Sequence, residues 1–85
     1  MRLTKEEFSI FNLASRIKII ENDGVYLIKK IVDGRHEIRL YLLYDFYVEE
    51  YYDYKQNKVL QVNTVKGKEW LQAFYLDMIN QFNFC

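Results

Sequence analysis

Eighty-five residues, 51% of them hydrophobic and 18% aromatic, suffice for one small folded domain spanning residues 1–85 and leave no room for a second. Twelve basic and twelve acidic side chains cancel, so net charge supplies no long-range pull toward a nucleic acid or an anionic membrane. The one cysteine is Cys85, which excludes an internal disulfide and a zinc site built on cysteines; with no signal-like h-region and no apolar run of membrane-span length, the chain reads as a cytoplasmic protein.

Thr4-Lys5-Glu6-Glu7 is a capping-box pattern, in which the Thr4 hydroxyl accepts from the Glu7 amide and the Glu7 carboxylate reaches back to Thr4. Phe8, Phe11, Ile10, Leu13, Ile17 and Ile20 follow at helical spacing, which predicts a helix over about 4–21, with room for a break near Asn12 to Ser15 and with Ile17-Lys18-Ile19 also suiting a strand. Asn22-Asp23-Gly24 reads as its C-cap.

The pattern then changes to strands, predicted over 25–32, 35–43, 46–54 and 58–65. Asp33-Gly34 predicts a two-residue type I′ hairpin, which sets Leu27 opposite Leu40. Lys55-Gln56-Asn57 predicts a three-residue loop with Asn57 in the left-handed conformation. Gly67 ends the sheet, and Trp70, Leu71, Phe74, Met78 and Phe82 recur as the stripe of a second amphipathic helix over about 67–82. The fold class is therefore α+β: a four-stranded antiparallel meander with an N-terminal helical segment and a C-terminal amphipathic helix packed on one face.

Charge is unevenly placed. Residues 44–54 carry four acidic groups and no basic one, and the run Tyr41 to Tyr54 holds six of the eight tyrosines. With a corner at Tyr44 to Phe46, strand alternation gathers Val25, Leu27, Ile31, Ile38, Leu40, Leu42, Val48, Tyr52, Leu60 and Val62 on a core face. The opposite face then presents Tyr26, Arg39, Tyr41, Tyr47, Glu49, Tyr51 and Asp53 to a partner, a composition suited to binding hot spots if no helix covers it. Glu50 falls on the core face, where an unpaired carboxylate is costly, so it needs a cationic partner such as Lys29, a bulge that turns it outward, or a different register.

Chemistry-bearing motifs are sparse. His36 is the one histidine and sits beside a turn, and Cys85 is terminal, so no nucleophile, base and orienting group assemble. Asp45, Glu49 and Asp53 recur four apart along one strand, roughly 13 Å between successive residues, too far for one ion to bridge. The three glycines are separate, so neither a P-loop nor a dinucleotide fingerprint is present. No enzyme, cofactor or metal is expected.

Asp45-Phe46-Tyr47-Val48-Glu49, the loop Lys55-Gln56-Asn57 and the strand running into a helix resemble a group of small uncharacterised bacterial and phage proteins carried on mobile elements, over roughly residues 23–76. Glu50 stands where that pattern usually has an apolar residue. The resemblance implies a bacterial or phage setting, in which small non-enzymatic proteins commonly act as immunity proteins, toxin partners or inhibitors of host defence. Together these readings predict a non-catalytic protein-binding module that docks its aromatic, acidic sheet face on a larger partner, such as a basic nucleic-acid-handling protein. Two alternatives remain: a homodimer through that face or an open sheet edge, and a nucleic-acid binder using Lys29, Lys30, Arg35 and Arg39 around the first hairpin, against which the acidic strand argues.

Overall fold

A computed structural model of the chain describes residues 2–65. The predicted C-terminal helix, with Trp70 and Phe82, lies outside the described residues, as does Cys85. The described part is two short helices followed by a four-stranded antiparallel sheet in the order β1-β2-β3-β4, consistent with the α+β class.

The N-terminal helical stretch is split. The capping box at Thr4 forms, with both reciprocal bonds present, and starts α1 (Lys5–Ile10). Phe11 then turns extended, and the Asn12 side chain accepts from the Ser15 amide to cap α2 (Leu13–Asp23). The break thus falls where a second N-cap residue interrupts the apolar stripe. Gly24 ends α2 in an extended conformation rather than a left-handed one. Glycine is needed here for space: a β-carbon would lie 2.7 Å from the Ile20 carbonyl oxygen.

The strands are β1 (Val25–Ile31), β2 (His36–Leu43), β3 (Phe46–Asp53) and β4 (Lys58–Thr64). Three turn details differ from the sequence reading. Gly34 has no positive φ, and the first loop is instead closed by the Asp33 carboxylate, whose Oδ1 accepts from the backbone amides of Arg35 (2.7 Å) and His36 (2.9 Å). A bulge at Leu27 shifts the pairing, so that Ile28 rather than Leu27 faces Leu40. The β2–β3 corner is the pair Tyr44-Asp45, with Tyr44 at φ 59° and Leu43 paired to Phe46. The last loop occupies residues 54–57, with Asn57 left-handed at φ 54° as predicted.

The corner decides the faces. Closing it one residue earlier than predicted flips β3 relative to β2, so Glu37, Arg39, Tyr41 and Leu43 share a face with Phe46, Val48, Glu50 and Tyr52. This is the face the helices cover, through contacts of α1 and α2 with β4 and of α2 with β2. Its core is Phe8, Ile20, Leu43, Phe46, Val48 and Val62, with Ile17, Tyr41 and Val59 packed around it. On the opposite face Leu40 and Val65 form a smaller buried pair, with Ile28 and Tyr47 against them.

Because neither helix runs along β1, most of its side chains stay outside. Val25, Leu27 and Ile31, expected in the core, are 56%, 44% and 55% exposed.

Candidate functional site

The seven residues proposed as one contact patch do not share a face. Tyr26, Arg39 and Tyr41 lie on the helix-covered side, while Tyr47, Glu49 and Tyr51 lie on the other. Asp53 is fully buried at the end of β3, where Arg35 grips it with two bonds of 2.9 Å from Nε and Nη2 and the Lys55 amide donates a third. Arg35 holds that carboxyl well below its ordinary range. Glu49 is also buried rather than presented: Oε2 has no hydrogen-bond partner among the described residues, and burial raises its pKa from 4.5 to about 7. The one-residue corner error accounts for the mixture, since a slip of one moves every side chain of a strand to the other face.

The three residues that do come together build a site. Arg39 and Glu50 are direct cross-strand partners on β2 and β3, and Arg39 Nη1 donates to Glu50 Oε1 at 3.2 Å. Arg39 Nε donates to Glu37 Oε2, and the guanidinium carbon stands 4.1 Å from the Tyr52 ring centroid, a cation–π contact. Glu37 in turn accepts from the Tyr54 hydroxyl and pairs with Lys29 at 3.8 Å. The paradox of Glu50 is resolved here: it lies on the buried face, and its partner is Arg39 rather than Lys29.

Electrostatics follow from this geometry. Burial alone would raise the Glu37 pKa, but the bonds from Tyr54 and Arg39 outweigh it and the net direction is downward. For Glu50 burial wins over the Arg39 guanidinium and a hydrogen bond with Tyr41, and its pKa is raised. Tyr41 is raised as well, first by burial and then by the charge of Glu50.

Beside this network an open cleft of about 340 Å³ lies between the C-terminal half of α2 and the sheet. Ile17, Ile20 and Val59 form its apolar wall, Gly24 its narrow end, and Glu21, Arg39 and Glu50 its polar floor and rim. Tyr26 and Tyr41 meet edge to face across strands β1 and β2, ring centroids 5.7 Å apart, and close the remaining side. No protein-family model, curated protein or solved structure matches this chain. The site's chemistry must therefore be read from its own atoms.

Among the described residues no group of three or more His, Cys, Asp or Glu side chains is arranged to hold a metal ion, and no helix is long and apolar enough to cross a membrane. The basic residues of the first hairpin are largely committed: Arg35 to Asp53, Arg39 to Glu37 and Glu50, Lys29 to Glu37.

The two edges of the sheet differ. At β4 the helices supply cations to the chain: Arg16 Nη1 donates to the Val62 carbonyl at 2.7 Å and Lys5 Nζ to the Val65 carbonyl at 2.9 Å. At β1 no described strand pairs with the outer edge. Tyr26 (51%) and Val32 (53%) join Val25, Leu27 and Ile31 as large exposed apolar groups on or directly after that strand. Sequence reasoning missed this edge because it placed three of those side chains in the core. The exception, Tyr26, belongs to both the edge and the cleft.

Proposed function

We propose that this chain is a non-catalytic protein-binding domain that takes an extended segment of a larger partner along the open edge of β1. In its sharpest form it is an inhibitor or immunity protein that occupies a working surface of that partner. The observation that carries the reading is the contrast between the edges among the described residues, one occupied by helix cations and the other apolar and without a paired strand. An unpaired strand offers a ladder of N–H and C=O groups to an incoming segment, and pockets beside it supply specificity.

A second copy fits this edge less well. The strand carries a bulge at Leu27 and two lysines, and bulges and lysines on an edge are features that oppose self-association. A nucleic acid fits less well again, because Lys29, Arg35 and Arg39 around the first hairpin are paired to carboxylates.

The test is a double substitution, Leu27→Asp with Ile31→Lys, on exposed side chains whose loss spares the core. Immobilised native chain should retain a defined host protein, the variant should lose it, and the two should share circular dichroism and melting temperature. Equal retention by both would sink the reading. Multi-angle light scattering at high micromolar concentration should give a monomer, and a dimer abolished by the same substitutions would replace the larger partner with a second copy.

A further inference from the structure

We propose that the cleft beside Tyr26 accepts one cationic side chain, a lysine or arginine, carried by the segment that docks along β1. The inference rests on the reading of β1 as the docking edge and names the chemistry of the occupant.

The first argument is continuity. Tyr26 is exposed on β1 and its ring also lines the cleft against Tyr41, so a strand laid on β1 passes its side chains over the cleft mouth. The second is charge. The charged residues that line the cleft are two carboxylates, Glu21 and Glu50, and one cation, Arg39, which also engages Glu37 outside it. The guanidinium that serves Glu50 is shared with Glu37. Glu21 is exposed on the cleft rim, and its charge acts on Glu50 in the direction of repulsion. Among the described lining residues the carboxylates therefore outnumber the cations by one.

The third argument is the wall. Two tyrosine rings set edge to face present π surface to a ligand, and a cation gains from that surface and from the carboxylates together. Ile17, Ile20 and Val59 provide an apolar lining for the methylene stem of a lysine or arginine. About 340 Å³ accommodates one such side chain and not a folded element. An anionic or wholly apolar occupant would gain nothing from the carboxylate excess of the lining.

The probe is Nα-acetyl-arginine methylamide, with the citrulline analogue as a neutral group of the same shape, each titrated into labelled protein and followed by amide chemical shifts. Saturable shifts should appear for Gly24, Tyr26 and Tyr41 with the arginine probe, and citrulline should bind roughly threefold or more weakly. Glu21→Gln, on an exposed rim residue whose change spares the fold, should weaken the arginine probe and narrow its advantage over citrulline. Equal affinity for both probes, shifts centred elsewhere, or indifference to Glu21→Gln would each overturn the inference. If the probe fails while partner capture still depends on Leu27 and Ile31, the cation pocket falls and the docking edge stands. If probe binding holds but capture ignores those residues, the docking edge falls, and the cleft is a cation site without the strand that was to deliver the cation.

Discussion

Glu49 makes the sharpest physical test of the fold. It is 4% exposed, its Oε2 has no described partner, and burial lifts its pKa from 4.5 to about 7. At about 1.4 kcal/mol for each tenfold change in proton affinity that rise corresponds to about 3.5 kcal/mol, and relaxation on ionisation reduces it to about 2. For an acid whose folded pKa is raised, stability is fully present below the unfolded value near 4.5, falls as pH climbs toward about 7, and is lost above it. We predict that Glu49→Gln, which removes the charge and keeps the shape, leaves stability at pH 5 nearly unchanged and raises it at pH 8 by about 2 kcal/mol. Urea unfolding followed by circular dichroism at half-unit steps from pH 5 to 8.5 measures both curves. Asp53 does not confuse the window, because Arg35 depresses its pKa and the stability it contributes is lost only as pH falls below the ordinary carboxylate range. A native chain whose stability is flat from pH 5.5 to 8, or a variant no more stable than the native chain at pH 8, would refute the placement of Glu49 in a buried position with Oε2 unpartnered among the described residues.

Two further predictions concern the helices. Phe8 is fully buried, is the one buried residue of α1, and packs on Phe46 at 5.8 Å between ring centroids. Phe8→Ala should cost about 3 kcal/mol, a large share of the stability of a domain this size, and should release the first helix, read as rapid hydrogen exchange in residues 5–10. Gly24→Ala places a β-carbon 2.7 Å from a backbone carbonyl oxygen. It should lower stability by about 1–3 kcal/mol, and a neutral or stabilising result in thermal melts would mean that α2 does not approach its own C-cap as closely as described.

How much of this was legible in the sequence depended on whether a local signal existed. The capping box at Thr4, the left-handed Asn57 and the succession of four strands were, because each rests on residue types with strong local preferences. The corner at Tyr44-Asp45 was not. A tyrosine at positive φ carries no turn signature, so the reading collected apolar side chains and settled one residue away. Another signal was available. Arg39 is the one basic side chain between Glu37 and Leu43 and Glu50 interrupts an apolar face, and requiring the two to be cross-strand partners selects the observed register. Edge exposure was beyond reach from pattern alone, because Val25, Leu27 and Ile31 look like core until one knows that α2 crosses β2 and β4 instead.

The same register that corrects the patch also produces the cleft. Had β3 been offset as predicted, Glu50 would have faced away from Arg39, and Tyr41 would not have met the helix side at all. In the observed pairing an acidic strand, an arginine and two tyrosines converge under α2, and the cost of burying Glu50 is met by a guanidinium that must also serve Glu37. A shared cation leaves charge unspent, and it does so next to the one edge of the sheet that nothing described covers. Stability alone would favour an apolar pair in place of Arg39 and Glu50. That an incompletely neutralised ion network borders an exposed apolar edge is the reason to read this corner of the molecule as a surface built for a partner.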